Sequence, residues 1–372
     1  MSNEVRTIRV LHVFSAMDRG GAELRTVELM RSLLGEPFEF HFCVLSDKVG
    51  DLDVEIEKLG GTIHHCPVGV QMYSCFEGII KVVNPDVVHA HVFYLSGLFL
   101  RAAAKKRVPI RIVHFRSTHD GRTPNWGRKF KQYFLIRWLD KYATKVIGVS
   151  EGALESTWLN KFPDDPRAEV IYNGFPFPNI SFSLSNEIKI KTSDSSVKII
   201  HVGRFIPAKN HGKLVSVFQE IKQRLPNSEL TIVGAGLDKL REEAVYDVSS
   251  RRLEQSVHFL GLRKDVNELL AGADLLLFPS TREGLPGVVI ESMLVGTPVL
   301  ASTLPGTREI KKYFPGMCHL LSVDEPDENW AVKALKIVQS PPPSFNEVRE
   351  RYVESPFAMQ YSKSRLTEIW RS

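Results

Sequence analysis

With 372 residues, 43% of them hydrophobic and 24% charged, the chain is long enough to bury two separate cores, and this composition excludes disordered and fibrous classes. Its four cysteines (Cys43, Cys66, Cys75 and Cys318) form no C-x-x-C pair and lack metal-ligand spacing, which points to buried or indifferent thiols in a reducing compartment. The net charge of +5 hides a strong asymmetry: residues 101–145 hold 13 basic side chains against two acidic ones.

In chain order, Met1 to Arg6 run directly into an apolar, β-branched segment, Ile8–Phe14, and no stretch reaches the roughly 18 apolar residues of a spanning helix. A cytoplasmic protein that does not cross a membrane is expected. The loop Asp18-Arg-Gly-Gly-Ala-Glu23 follows, then a helical pattern over 22–34. Adjacent Gly20 and Gly21 let a backbone approach a ligand closely, although a tight strand-to-helix turn would also use glycine; no G-x-G-x-x-G accompanies them, which argues against a dinucleotide oxidoreductase. Asp51-Leu-Asp53, the one D-x-D, sits with Glu55 and Glu57 in a charged helical stretch and reads as a solvated face. Strands are predicted at 40–45, 87–89, Ile110–Phe115 and 145–149, the last closing the first set.

Within the basic stretch, Trp126, Phe130, Tyr133, Phe134 and Trp138 interleave with the cations, so a helix over about 125–144 would carry aromatic and cationic faces. That combination suits an anionic membrane surface, and a solvated basic helix with its aromatics packed on a sheet is the competing reading. No nucleic-acid-binding motif accompanies the charge. Residues 173–194, rich in Pro, Ser, Asn and Phe, show no periodicity and read as an inter-domain connection. A second set of strands is predicted at Val197–Val202, 230–233, 257–259, Leu275–Phe278 and 298–301. Strands alternating with helices make both halves parallel sheets covered by helices.

Two segments of the second half carry chemistry. His201-Val-Gly-Arg-Phe-Ile-Pro-Ala-Lys-Asn210 places Gly203, Arg204 and Lys209 just beyond a buried strand, where an open α/β sheet would clamp a diphosphate. Glu283-Gly-Leu-Pro-Gly-Val-Val-Ile-Glu291 follows another buried strand and enters a helix, whose N–H groups favour an anion. Glu283 and Glu291 cannot bind that anion themselves and fit as acceptors for hydroxyls. An anion flanked by hydroxyl-rich groups describes a nucleotide sugar.

These segments, together with Gly20-Gly-Ala-Glu23, Val170-Ile-Tyr-Asn-Gly174, Val233-Gly-Ala-Gly236, Phe259-Leu-Gly261 and Gly296-Thr-Pro-Val299, resemble the retaining nucleotide-sugar glycosyltransferases of family 4, across most of the chain. The resemblance implies the α/β GT-B fold, two Rossmann-like doubly wound domains facing across a cleft. Residues 1–173 would be the acceptor-side domain, 174–196 a linker, 197–355 the nucleotide-sugar domain, and 356–372 a helix returning to the first domain. It further implies that Arg204 and Lys209 neutralise the donor diphosphate and that Glu291 binds ribose hydroxyls. Glu283 would touch the transferred sugar, the backbone at Gly284 and Leu285 would approach the phosphates, and Gly20 with Gly21 would line the opposite wall. Catalysis would be electrostatic, without a dedicated metal or cofactor.

A family histidine near the reacting carbon corresponds to His114 as first choice, and His119, followed by Asp120, matches the family ending equally well; either also has a plain reading as a core or surface histidine. Arg116 would bind an acceptor carboxylate or phosphate. Gly287 departs from the asparagine that many family members carry, which bears on donor contacts alone. The expected activity is metal-independent transfer of a sugar to a glycan or lipid-linked acceptor in surface-polysaccharide assembly. A non-hydrolysing sugar-nucleotide epimerase and a silent nucleotide-sugar binder are the alternatives.

Overall fold

The computed structural model describes residues 6–119, 126–159, 161–178, 196–341 and 343–372, with the side chains of 128 and 129 left out. Most of the expected linker, 174–196, and the Asp120 to Asn125 part of the basic stretch lie outside the described residues. The chain divides into two compact units, one formed by the residues through Pro176 together with Pro356–Ser372, the other by Phe177–Ser355.

Unit one runs β1 (Ile8–Phe14), α1 (Gly21–Ser32), β2 (Phe38–Val44), α2 (Asp53–Lys58), β3 (Thr62–His65), α3 (Met72–Val83), β4 (Val87–Ala90), α4 (Ser96–Lys105), β5 (Ile110–Phe115), α5 (Trp126–Tyr142), β6 (Lys145–Gly148), α6 (Glu151–Thr157) and β7 (Ala168–Val170). Its seven strands are parallel in the order β3-β2-β1-β4-β5-β6-β7. Unit two runs β8 (Val197–Val202), α7 (His211–Arg224), β9 (Ser228–Val233), α8 (Asp238–Ser250), β10 (Val257–Gly261), α9 (Val266–Ala271), β11 (Leu275–Phe278), α10 (Gly287–Leu294), β12 (Val299–Ser302), α11 (Pro305–Tyr313), β13 (Cys318–Leu321), α12 (Asp327–Val338) and α13 (Phe345–Glu354). Its six parallel strands follow β10-β9-β8-β11-β12-β13. Parallel strands covered on both faces read as continuous apolar runs, and Leu275-Leu-Leu-Phe278 is buried at all four positions.

Three strands escape the periodicity: β3, β7 and β13. The first set does not close at β6, because β7 adds to its edge. Asp53 is also corrected, since it is buried at the start of α2 and its carboxylate accepts the Gly50 N–H at 2.8 Å rather than facing solvent. Asp51 stays exposed and accepts the Arg19 N–H.

A last helix, α14 (Met359–Arg371), belongs to unit one and packs on α1 and β1. Its Trp370, 1% exposed, sets its edge against His12 and Phe40. Under it lies a cluster of imidazoles: His12 on β1, His89 on β4, His114 on β5 and His91 just past β4. The opposite face of this sheet carries α3, α4, α5 and α6 over a core that includes Val13, Val88 and Phe115. Helices α4 and α5 pack so closely that a Cβ on Gly97 would lie 2.3 Å from the Leu135 carbonyl oxygen. The inner side of α5 is therefore fixed. Trp126, Phe130, Tyr133 and Phe134 are exposed, Trp126 at 91%, and Trp138 lies under the Arg101 guanidinium at 4.5 Å.

Burial pushes His12 down to about 3 and His89, His91 and His114 well below the usual imidazole value, with the Arg116 charge adding to the effect. In unit two, burial holds His201 at about 3 and His211 at about 4. A base depressed in the folded state leaves the unfolded chain holding more protons below pH 6.5, so stability is full above that pH and falls as acid is added. Each such histidine contributes a slope of about 1.4 kcal/mol per pH unit. The thermal midpoint, followed by circular dichroism, is predicted to drop from pH 6.5 to 5, before most carboxylates titrate; a flat profile there would contradict the neutral, buried assignment.

Candidate functional site

In both sheets the strand order reverses beside the first strand, between β1 and β4 and between β8 and β11, and open α/β sheets bind ligands beyond the carboxyl ends at that reversal. The residues singled out from the second half sit there. Lys209 follows β8 in a short 3-10 turn, Pro207–Lys209, closed by Asn210 in the left-handed region at φ 55°, which starts α7. Glu283 follows β11. Lys209 Nζ and Glu283 Oε1 meet at 2.7 Å with side chains only 15% and 14% exposed, so one ion pair spans the reversal.

Several contacts fix this pair. The Phe278 ring faces Lys209 Nζ at 4.5 Å, a cation–π arrangement that holds the ammonium in place. Thr281 N–H donates to the Ala208 carbonyl at 2.8 Å, joining the two loops through backbone. A Cβ at Gly203 would lie 3.0 Å from Lys209 Cδ, so this glycine leaves room for the lysine stem. His201 and His211, neutral for the reasons given above, add no charge beside Lys209. Beneath the β8 loop, Phe205 N–H donates to Ala235 O and Leu237 N–H to Phe205 O, both at 3.0 Å. A Cβ on Gly234 would stand 2.0 Å from the Gly203 oxygen, so the Gly234 and Gly236 loop packs backbone on backbone against Gly203.

Arg204 is exposed, and its side chain makes no ion pair or hydrogen bond among the described residues. It lies on the Lys209 loop without touching the pair. Glu291 lies in the second turn of α10, half-buried, while Gly284 and Leu285 are buried in the entering loop. Sequence reasoning missed Gly306: its Cβ would be 2.1 Å from the Gly284 oxygen, so α11 abuts the Glu283 loop only because this residue has no side chain. Gly306-Thr307 at a Pro-led helix start was the available signal, and the Thr307 hydroxyl indeed accepts the Leu304 N–H at 2.9 Å.

In unit one, Gly20 caps α1 and a Cβ there would lie 2.3 Å from Glu23 Oε2, whereas a Cβ on Gly21 would meet nothing within 4 Å. Gly21 is thus not demanded by its own packing. His114 is 1% exposed, and its Nδ1 pairs with His89 Nε2 at 3.1 Å beneath α14. His114, the first choice for the histidine near the reacting carbon, thus lies buried among imidazoles within its strand. His119 is exposed, four residues beyond β5, and its N–H reaches the Ser117 hydroxyl at 3.4 Å.

Arg116, at the end of β5, is the group that the strand end presents. It donates to His91 Nδ1 at 3.2 Å, to Thr26 Oγ1 at 3.4 Å and to Asn173 Oδ1. Burial pulls its pKa down to about 9, opposed by the Glu23 carboxylate. His12, His89 and His91 each bring a ring nitrogen within 4.8 Å of the others, a spacing that would admit a metal ion. The set fits one poorly. Arg116 occupies His91 Nδ1, which leaves the proton on the nitrogen facing His12 Nδ1 at 3.1 Å, and the guanidinium charge repels a cation.

Comparison with known proteins places these features in context. A family described as "Glycosyl transferases group 1" matches residues 196–340, and one described as "Glycosyltransferase Family 4" matches residues 19–176. The capsular polysaccharide biosynthesis glycosyltransferase CapH of Staphylococcus aureus is 32% identical over 370 residues, covering 98% of this chain and 99% of the relative. The putative glycosyltransferase EpsF of Bacillus subtilis is 27% identical over 376 residues, covering 97% and 96%. Among solved structures, Anabaena HepE in complex with UDP and glucose has a TM-score of 0.78 at 18% identity, covering 97% of this chain and 98% of that one. The two-sheet organisation is that of GT-B proteins.

Gly306→Ala must displace the Gly284 carbonyl and with it Glu283. Binding of a nucleoside diphosphate, measured by calorimetry, is predicted to weaken roughly tenfold or more, as misplacement near an ångström does elsewhere; unchanged affinity would remove Gly306 from the support of this loop.

Proposed function

Because the chain belongs to the family 4, group 1 glycosyltransferases, we propose that it transfers a sugar from a nucleotide-diphosphate sugar to a glycan or lipid-linked acceptor in cell-surface polysaccharide assembly, with retention and without a metal. The observation that carries this reading is the Lys209–Glu283 pair at the reversal between β8 and β11. A diphosphate beyond those strands is neutralised by Lys209 and by the unpartnered Arg204, with the backbone at Gly203, Gly284 and Leu285 close to it. Glu291 accepts from ribose hydroxyls and Glu283 from the transferred sugar. On this reading unit two is the donor domain, and unit one, with Gly20, Gly21, Arg116 and His119 near its strand ends, is the acceptor domain. His114 acts beneath that surface, supporting Arg116 through the imidazole cluster.

In the reaction the bond from the anomeric carbon to the diphosphate oxygen breaks and one to an acceptor hydroxyl oxygen forms, the hydroxyl proton passing to the departing diphosphate. Negative charge grows on the leaving group, and fixed cations stabilise it more than they stabilise the intact donor. Lys209 is held by Glu283 and Phe278 before any ligand arrives, which is the preorganisation such catalysis needs. CapH acts in capsular polysaccharide biosynthesis and HepE binds UDP and glucose, so a UDP-sugar is the first donor to try.

The acceptor side has a second support. No described helix is long and apolar enough to cross a membrane, yet α5 exposes Trp126, Phe130, Tyr133 and Phe134 beside Lys131, Arg137 and Lys141. Aromatic rings flanked by cations suit peripheral attachment to an anionic leaflet, where a lipid-linked acceptor resides.

Incubation with radiolabelled nucleotide sugars and a lipid extract is predicted to move label into the lipid fraction; an altered free nucleotide sugar, or binding without turnover, would overturn transferase function. Lys209→Ala is predicted to lower turnover roughly a hundredfold or more, and an unchanged rate with an authentic substrate would remove Lys209 from the site. Charge reversal at Lys131, Arg137 and Lys141 is predicted to release the protein from anionic vesicles at moderate salt; absence of vesicle binding in the parent protein would end the attachment proposal.

A further inference from the structure

Unit two has a concave site on the edge of its sheet away from Lys209 and Glu283. Those two residues follow the carboxyl ends of β8 and β11, whereas this cavity opens beside Pro298 and Gly316, which precede β12 and β13 at their amino ends. Its volume is ≈ 200 Å³, and its polar lining comes from His319, Lys333, Lys336 and Ser340. Among the described residues no carboxylate lines it. The side chains of Lys333 and Lys336 make no ion pair or hydrogen bond among the described residues.

Excess positive potential is visible on His319 itself. Its pKa is lowered by burial and then by Lys333 and Lys311, both cations, and only a hydrogen bond to the Gly316 carbonyl acts the other way. The carboxyl end of α12 points toward the cavity, and lysines near a helix end are ordinarily explained by its dipole. That dipole is worth about half a negative charge, whereas Lys311, Lys333 and Lys336 bring three positive ones. Part of it is also already answered, since the Ser340 hydroxyl donates to the Lys336 carbonyl at 2.7 Å. The volume exceeds the roughly 30 Å³ share of one water several times over, and Pro298, Ile337 and Pro341 give it an apolar wall.

We propose that this cavity is a binding site for a small phosphate-bearing anion, separate from the donor site. Lys333 and Lys336 supply point charges to the phosphate oxygens, His319 donates once it takes up a proton, and the apolar wall receives the organic part of a phosphomonoester.

The test uses the full chain labelled with ¹⁵N-histidine, titrated with inorganic phosphate at pH 7 against potassium chloride at equal ionic strength. The His319 ring signal is assigned by its loss in His319→Gln. A phosphate beside His319 favours the imidazolium, so its signal is expected to move saturably toward the protonated position with phosphate and not with chloride. In the double variant Lys333→Gln/Lys336→Gln the half-saturating concentration is expected to rise about tenfold or more, the loss of about one charge-assisted contact. Signals of His201 and His211 report phosphate at Lys209 separately, and the remaining histidine signals report that the double variant is folded. If that variant disturbs them, Lys336→Gln, at an exposed position, takes its place. A His319 signal that ignores phosphate, or one that moves at the same concentration in the variant, overturns the proposal.

Discussion

One ammonium and one carboxylate, 2.7 Å apart across the strand-order reversal of the second sheet, organise the donor side of the proposed reaction. Lys209 comes from the loop after β8 and Glu283 from the loop after β11. Neighbouring parallel strands put both loops at one edge, and the reversal opens a gap between their crossover helices. Glycines at 203, 234 and 306 let backbone approach backbone around the pair, and Phe278 and the Thr281 to Ala208 hydrogen bond fix it from below and beside. The local chemistry is that of a site prepared for growing negative charge, in which the cation is positioned by the fold and its two neighbouring imidazoles stay neutral.

The first unit solves a different problem with similar parts. Its sheet carries a cluster of four histidines beneath α14, and their burial keeps them uncharged, so they add no positive charge beside Arg116 at that strand end. The acceptors that Arg116 reaches directly among the described residues are neutral, and the Glu23 carboxylate acts on it from the first turn of α1. Exposed cations lie instead on α5 at Lys131, Arg137 and Lys141, and its inner side is locked against α4 through Gly97 while Trp126, Phe130, Tyr133 and Phe134 stay in solvent. Positive charge is thereby divided between a held site and an exposed helix.

Much of this was legible in the chain itself, for physical reasons. Central parallel strands are buried on both faces, so Leu275–Phe278 stands out as an unbroken apolar run and Ile8–Phe14 and Ile110–Phe115 as mostly apolar ones, each with its true limits. Edge strands lack that signature: Thr62–His65 contains two histidines, Ala168–Val170 has three residues with a central glutamate, and Cys318–Leu321 is only four long. Lys209 and Glu283 could be assigned to one site because the loop after a parallel strand emerges at the carboxyl edge, but their ion pair could not be read from the chain. The surroundings of His114 were not legible, because the imidazole cluster of His12, His89 and His91 beside it is drawn from three other segments of the chain and has no local pattern. At Gly306 the local pattern signals a helix start, but not the contact with Gly284, 22 positions earlier, that gives this glycine its importance.

The central claim is that the Lys209–Glu283 pair receives the donor diphosphate, and a crystal structure of the protein soaked with a UDP-sugar tests it most directly. The account predicts a diphosphate oxygen about 3 Å from Lys209 Nζ, the ribose hydroxyls on Glu291 and a sugar hydroxyl on Glu283. A diphosphate bound elsewhere, with the ion pair intact and Glu291 untouched, would contradict it.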